Sequence, residues 1–242
     1  MDANTVGAIL DEALAAGRLA LDEPTGKRVL RGVGVATPRS VVLPSLADVE
    51  RFDCDLKPAF VLKVVSSEVL HKSDLGGVRL NLATARELGV AAGEMNARLA
   101  AAGKRVDGWL VEEMAGAGVE MVIGGLRDPE FGPLVMLGLG GIFVEVLGDV
   151  AFRICPITEW DARDMVDELK GGPLLKGARG QAPVNIDALV DVLLKIGGEG
   201  GLLMRAGDRV EELDLNPVIV TPLSAVAVDA RFILNHGGQN AV

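Results

Sequence analysis

The sequence of 242 residues predicts an α+β protein in which the strands pair mainly antiparallel. Helical and strand-like segments both occur along the chain, but they do not alternate steadily as consecutive βαβ units would. The composition, with 49% apolar and 24% charged residues, is typical of a globular chain with a sizeable core. The sequence contains no internal repeat and no low-complexity segment that would contradict this class.

Four helices are predicted from apolar residues at helical spacing combined with start or stop signals. They are a first helix around Val6–Leu14 with Gly17 as its stop, a second opened by a capping box of Thr84 and Glu87 with Leu88, Ala91, Met95 and Leu99 inward, a third from Thr158 to Leu169, and a fourth from Asn185 to Ile196. Threonine and asparagine are favoured at these starts because their side-chain oxygens accept hydrogen bonds from the first backbone N–H groups.

Strands are predicted where β-branched and other apolar residues dominate a short run. These runs are Phe60–Val65, Trp109–Met114, Val119–Gly124, Leu134–Leu137, Val210–Thr221 and Ala225–Phe232.

The last two runs predict a hairpin around the turn Thr221–Ser224. If the turn is tight, Asn216 lies opposite Asp229 and Asp214 lies opposite Arg231, all on one face because strand side chains alternate with a period of two. An amide oxygen and a carboxylate whose Cβ atoms are about 4.5–5.5 Å apart can share one hard cation, with water and phosphate oxygens completing its shell. The alternative is an ordinary hairpin with polar residues on its outer face.

Charge and cysteine content exclude several classes of protein. The chain has 34 acidic and 24 basic residues, a net charge of -10, so we expect no general nucleic-acid binding. Cys54 and Cys155 have no paired spacing, which excludes a disulfide scaffold and a cysteine-rich zinc site. The start lacks a signal-peptide pattern, and the most apolar stretch, Leu134–Val144, is too short to span a bilayer. We therefore expect a cytoplasmic protein without membrane contact.

One lysine and one histidine are candidates for anion chemistry. Lys63 lies within the apolar run Phe60–Val65, where a lysine more often points into a cleft in which an anion offsets its desolvation. His71 lies in the polar, glycine-containing stretch Ser66–Gly77, which suits a mobile loop better than a packed core. The alternatives are a lysine on a solvated strand face and a histidine with a structural role.

Three stretches give the sequence a specific family resemblance: PAFVLKVVSSEVLHKSDLGGVRLNL, GVEMVIGGLRDPEFGPLVMLGLGGIFVEVLGDVAFRICPIT and ELDLNPVIV. From about Glu23 to Phe232 the chain resembles the ATP-grasp subunit of ADP-forming acyl-CoA synthetases (acetate–CoA ligase, ADP-forming), which are distantly related to the succinyl-CoA synthetase β subunit. The combination of HKSDxGGV, DPxFGP and DxNP carries the resemblance, since each motif alone would be weak.

The resemblance implies an ATP-grasp fold, in which two α+β lobes hold the nucleotide between them. It places a small lobe at residues 22–112, with the phosphate-binding lysine and the mobile histidine loop. It places a large lobe at residues 1–21 and 113–242, with the Mg-nucleotide site.

In the small lobe, Lys63 matches the lysine that reaches the nucleotide phosphates. The stretch that includes Glu112, Glu113 and Met114 resembles the hinge between the lobes, and the backbone around the last two would pair with the adenine edge. Alternation along a strand puts the two glutamates on opposite faces, so only one of them can face the nucleotide. The sequence leaves open which one.

In the large lobe, Asn216 and Asp229 match the magnesium ligands of the family, the same pair that the hairpin register brings together. Glu120 resembles the acid that bonds the ribose hydroxyls. Asp214 resembles an acid that can contact the phosphorylated histidine loop, but a plain cross-strand ion pair with Arg231 is also compatible with the sequence.

A glycine cluster and one further acid complete the candidate site. Gly140 and Gly141 lack side chains and so allow the backbone to approach an anion closely. Glu145 matches an acid that lines the active site of the family.

The resemblance implies a phosphoryl relay that uses ATP or ADP and Mg²⁺. A CoA-binding α subunit with its own phosphohistidine would pass its phosphoryl group to His71, whose loop would carry it to ADP. The net reaction would be acyl-CoA + ADP + phosphate ⇌ carboxylic acid + CoA + ATP, catalysed by a heteromer expected as α2β2. Two other functions remain open: an ATP-sensing regulatory module, and a carboxylate ligase that forms its acyl phosphate directly and needs no histidine.

Overall fold

The computed structural model describes residues 3–66, 72, 75–141, 148–177 and 182–235. In chain order the elements are α1 (Ala3–Ala15), β1 (Ala20–Leu21), α2 (Glu23–Gly32), β2 (Ser40–Leu43), α3 (Leu46–Glu50), β3 (Phe60–Val65), β4 (Val78–Leu82), α4 (Ala85–Ala101), β5 (Gly108–Glu113), β6 (Val119–Asp128), β7 (Gly132–Leu139), β8 (Val150–Ile154), α5 (Glu159–Glu168), α6 (Gly172–Leu175), α7 (Ile186–Gly197), α8 (Leu202–Ala206), a 3-10 turn (Gly207–Arg209), β9 (Val210–Val220), β10 (Ala225–Ala227) and β11 (Arg231–Leu234). All pairings between these strands are antiparallel, which confirms the predicted class.

The chain forms two compact units, a larger one of residues Met1–Thr37 and Gly116–Val242 and a smaller one of residues Pro38–Ala115. The predicted division at residue 22 therefore lies too early in the chain. The segment after residue 22 belongs to the larger unit because β1 pairs with β11, with Leu21 opposite Phe232, and because Gly26 of α2 lies against Phe232.

The larger unit is built on a sheet with the strand order β1-β11-β9-β6-β7-β8, and β10 pairs with β9. One face of this sheet packs into a core that includes Ile123, Leu137 and Leu213 together with buried residues of α1, α2 and α7. Because side chains alternate along each strand, the residues between these apolar positions lie on the opposite, outer face.

The smaller unit has a four-stranded sheet in the order β2-β5-β3-β4. Its core joins Leu62, Val64 and Trp109 of the sheet to Leu88 and Met95 of α4. Lys63, which lies between Leu62 and Val64 in β3, is therefore on the face of the sheet that points away from α4.

The predicted helix starts are confirmed by their capping bonds. The side-chain oxygens of Thr84, Thr158 and Asn185 accept hydrogen bonds from backbone N–H groups in the first turn of α4, α5 and α7. The predicted strand Ala225–Phe232 is instead interrupted between β10 and β11. There Asp229 Oδ1 accepts a 2.8 Å hydrogen bond from the N–H of Ala230, and such local side-chain bonds compete with the strand ladder.

The described helices include none whose length and hydropathy would suffice to cross a bilayer.

Candidate functional site

Lys63 and Glu112 form a buried ion pair in the smaller unit. Both residues lie on the sheet face opposite α4, because Val61 pairs with Glu112 and Lys63 pairs with Leu110. Lys63 Nζ lies 3.2 Å from Glu112 Oε2, and the two side chains are only 7% and 2% exposed. Taking both charges out of water is costly unless they are well paired, so this contact fixes the position of the ammonium group.

This arrangement shows which of the two adjacent glutamates shares the face of Lys63. Glu112 does, whereas Glu113 lies on the other face, where its Oε1 accepts hydrogen bonds from Arg39 Nη1 at 3.1 Å and from the N–H of Lys57 at 2.9 Å. A side-chain hydrogen bond to Asp55, followed by the charges of Asp55 and Glu113, raises the pKa of Arg39. Glu113 is therefore part of an ionic network of the smaller unit.

The backbone N–H groups of the predicted adenine-binding residues are already used within the smaller unit. The N–H of Glu113 donates to the carbonyl of Arg39, and the N–H of Met114 donates to the carbonyl of Ala59, each at 2.9 Å. An adenine edge at this segment would have to bond to other backbone groups.

Glu120 and Gly140 are neighbours across the β6–β7 ladder of the larger unit. The N–H of Gly140 donates a 2.7 Å hydrogen bond to the carbonyl of Glu120. A Cβ atom on Gly140 would lie 2.9 Å from the Cβ and from the backbone oxygen of Glu120, so no larger residue fits here without a shift. Gly141 has a φ of +64°, which favours glycine, and the Glu120 side chain is exposed.

The hairpin register predicted from the sequence is confirmed. Arg231 pairs with Asp214 in β11 and β9, and β10 pairs with β9 in the same register on the other side of the interruption. This continuity places Asp229 opposite Asn216. The neighbours of these residues in β9, Leu213 and Leu215, are buried in the core, so the polar side chains belong to the outer face of the sheet.

A β-bulge lies at Asn216 and Pro217. Between the pairs Met121–Val218 and Ile123–Leu215, these two residues of β9 stand opposite one residue of β6. Bulges bend a strand and re-aim the side chain of the extra residue, and they are frequent beside active sites. Asn216 is accordingly exposed, whereas Asp229 is half-buried.

The chemistry of this pair fits Mg²⁺. Hard divalent cations prefer amide, carboxylate, phosphate and water oxygens, and Asn216 and Asp229 supply the first two kinds. The described part of the chain holds no group of three or more His, Cys, Asp or Glu side chains placed to bind a metal. A cation held by Asn216 and Asp229 would therefore take most of its ligands from phosphate and water, which is typical of Mg²⁺ bound with a nucleotide.

Two predicted catalytic residues, His71 and Glu145, lie outside the described residues. Of the other candidates, the smaller unit contains Lys63, Glu112, Glu113 and Met114, and the larger unit contains Glu120, Gly140, Gly141, Asp214, Asn216 and Asp229. The sequence reasoning missed a second buried ion pair, in which Lys27 Nζ lies 2.8 Å from Glu23 Oε1 on α2. The sequence feature that could have indicated this pair is the spacing of four residues between Glu23 and Lys27, next to apolar residues.

The fold of the chain is that of an ATP-grasp protein. The chain belongs to the ATP-grasp family, since the family model described as "ATP-grasp domain" matches residues 12–234.

Comparisons with individual proteins show which kind of ATP-grasp protein the chain is similar to. The chain is 41% identical, over 93% of its length and 96% of the relative, to the β subunit of acetate–CoA ligase [ADP-forming] I of Pyrococcus furiosus. Its fold matches acetyl-coenzyme A synthetase 1 of Ca. Korarchaeum cryptofilum, solved with coenzyme A and Ca-AMPCP, with a TM-score of 0.87 and 39% identity, covering 94% of this chain and 99% of that one. A second structure of that enzyme contains coenzyme A and Mg-AMPPCP, and its phosphohistidine segment points towards the nucleotide binding site. It matches this chain with a TM-score of 0.79 at 39% identity, and the match covers 95% of this chain and 100% of that one.

Proposed function

We propose that this chain is the nucleotide-binding β subunit of an ADP-forming acyl-CoA synthetase. In this role it transfers a phosphoryl group between a phosphohistidine and ADP, as one step of acyl-CoA + ADP + phosphate ⇌ carboxylic acid + CoA + ATP. One observation carries the proposal: the register that β10 and β11 share against β9 puts Asp229 at the position opposite Asn216, two residues along from the Asp214–Arg231 pair, in a chain that matches a β subunit of such a ligase over nearly its full length.

The larger unit would hold the metal and part of the nucleotide. Asn216 and Asp229 would be the protein ligands of Mg²⁺, which supplies positive charge to the phosphates during transfer. Glu120 would bond the ribose hydroxyls. Backbone groups at Gly140 and Gly141 would approach the anion, where the missing side chains leave room.

The smaller unit would contribute Lys63 to the phosphates. Its ammonium group is held by Glu112, and a positioned cation loses little free energy to reorganisation when charge develops on the transferring group. Of the two glutamates, Glu112 is the one assigned to the nucleotide, because Glu113 is engaged by Arg39.

His71 would accept and donate the phosphoryl group. A neutral imidazole nitrogen is nucleophilic near pH 7, which suits a relay that must form and break a P–N bond. Asp214 would contact the phosphorylated histidine loop, and Glu145 would line the active site. The partner would be a CoA-binding α subunit with its own phosphohistidine, and we expect an α2β2 assembly, for which the mass of the mixed subunits by analytical ultracentrifugation is the measurement.

The test is incubation of the full chain with γ-labelled ATP and Mg²⁺. We expect acid-labile, alkali-stable label on the wild type and none on His71→Ala. The only other histidine, His236, provides the matched control, and His236→Ala should be labelled like the wild type.

Other outcomes would assign the chain elsewhere. Nucleotide binding without any label on the wild type would favour an ATP-sensing module and refute the relay. Full synthetase turnover by His71→Ala together with its α subunit would favour a ligase that forms the acyl phosphate directly.

A further inference from the structure

Arg231 is a cationic residue close in register to the proposed metal ligands. It pairs with Asp214 across the β9–β11 ladder and lies two residues beyond Asp229. Phe232, the next residue, is fully buried in the core, so Arg231 lies on the outer face with Asp214. Its side chain is 36% exposed.

The guanidinium group of Arg231 is poorly satisfied by the protein. Its Nε atom is closed to solvent and has no hydrogen-bond partner among the residues that the structure describes. Its ion pair is a long contact, 3.9 Å from Nη1 to Oε1 of Glu212. A buried donor without a partner costs about 1–3 kcal/mol, and one that persists calls for an explanation.

Arg127 shows what a structural arginine looks like in the same sheet. Its Nε is also buried and has no partner among the residues with a described structure, but its Nη2 donates a 2.6 Å hydrogen bond to the carbonyl of Gly207, and its Nη1 lies 3.2 Å from Asp208 Oδ1. Its terminal nitrogens are therefore held by the protein. The only such contact of Arg231 in the described part of the chain is the long one to Glu212, so its terminal nitrogens are the better placed to bind a ligand.

The guanidinium group itself indicates what kind of ligand this is. Glu212 and Asp214 lie on the outer face beside Arg231, and the described ion pair of Arg231 is with Glu212. An exposed pair as long as that with Glu212 contributes about 0–1 kcal/mol, too little to make ion pairing the main role of the arginine. A planar guanidinium is well matched to the oxygens of a phosphoryl group.

We propose that Arg231 is a catalytic residue that binds the phosphoryl group during its transfer. The inference rests on the proposed function and extends it. In the reaction with ATP, the γ-phosphorus loses its bond to the β–γ bridging oxygen, which leaves on ADP with the electron pair. A P–N bond to the imidazole forms, and the imidazole proton passes to solvent. Arg231 makes no covalent bond; it neutralises charge on the transferring oxygens, and Asn216 and Asp229 would hold the Mg²⁺ that supplies further positive charge.

The test compares three variants of the full chain with the wild type. The measured quantities are the rate of histidine labelling from γ-labelled ATP, the Kd for Mg-AMPPCP and the melting temperature. Arg231→Gln should label about 100-fold or more slowly, as is usual when one donor to a developing anion is lost. Its Kd for the unreactive analogue should change less than tenfold, and its melting temperature by no more than about 2 °C. Arg231→Lys should recover part of the rate, because it restores charge without the planar fork.

Two matched controls separate catalysis from ion pairing and from net charge. Glu212→Gln removes the contact of Arg231, and Arg209→Gln removes an exposed arginine that pairs with Asp11. Both should label within about threefold of the wild type.

Each outcome decides the inference. It is overturned if Arg231→Gln labels within about threefold of the wild type, or if Glu212→Gln is as slow as Arg231→Gln. It is equally overturned if the analogue Kd rises as much as the rate falls, since the arginine would then bind ground state and transition state alike. No label on the wild type would reject the proposed function and the inference together, whereas a labelled wild type with an unimpaired Arg231→Gln rejects the inference alone.

Discussion

Removing Lys27 is expected to destabilise the larger unit strongly. Lys27 Nζ and Glu23 Oε1 are 2.8 Å apart, and their side chains are 0% and 1% exposed. Methionine in place of Lys27 fills a similar volume but removes the ammonium group that lies against the buried Glu23 carboxylate. Breaking a buried pair in this way costs about 3–5 kcal/mol. For a chain of this size that corresponds to a fall in Tm of about 6–20 °C.

The size of the effect is measured by urea unfolding of Lys27→Met, Glu23→Leu and the double variant Glu23→Leu/Lys27→Met. The double variant should lose less stability than Lys27→Met alone, because it removes both charges of the buried pair. Asp191→Ala is the matched control: Asp191 and Lys195 have the same spacing on α7 and lie 2.6 Å apart, but both are substantially exposed. The free energy of unfolding of Asp191→Ala should fall by less than about 1 kcal/mol.

Two results would refute the reasoning. One is a loss below about 1 kcal/mol for Lys27→Met, which would mean that solvent reaches the buried carboxylate. The other is strict additivity of the two single changes, which would mean that the charges do not depend on each other.

Two further predictions concern the smaller unit and the cysteines. Glu112→Gln should weaken Mg-ATP binding by about tenfold or more, because Lys63 is then less firmly positioned. Glu113→Gln should lower Tm but leave the Kd for Mg-ATP within about threefold of the wild type. Both Kd values are measured by calorimetric titration, and equal effects of the two variants would contradict the placement of Glu112 and Glu113 on opposite faces of the sheet. Burial raises the pKa of Cys155 to about 11, so its thiol stays protonated at pH 8, and a thiol reagent should modify the exposed Cys54 and spare Cys155 until the protein unfolds. Rapid modification of two thiols in the native protein would show that Cys155 is accessible.

The hairpin illustrates what can be predicted from local sequence. A tight turn at Thr221–Ser224 and a side-chain period of two were enough to predict the register in which Asp214 pairs with Arg231. The turn is tight because the N–H groups of Leu223 and Ser224 both donate to Thr221 Oγ1. The helix starts were predictable for the same reason, since a capping side chain bonds within its own first turn.

Other features depended on parts of the chain that are far apart in sequence. The bulge at Asn216 arises from a mismatch between β9 and β6, which the sequence of β9 alone does not contain. The assignment of α2 to the larger unit follows from the pairing of β1 with β11 and from Gly26 against Phe232.

The sequence by itself determined the fold class, the family resemblance and the candidate donors, because periodicity, capping and motif spacing act over a few residues. Only the tertiary structure decided that Glu112 and not Glu113 shares the face of Lys63, and that the guanidinium of Arg231 is left with a single long ion pair in the described part of the chain. The physical reason is that burial and charge pairing depend on which strands become neighbours, and long-range packing sets that arrangement.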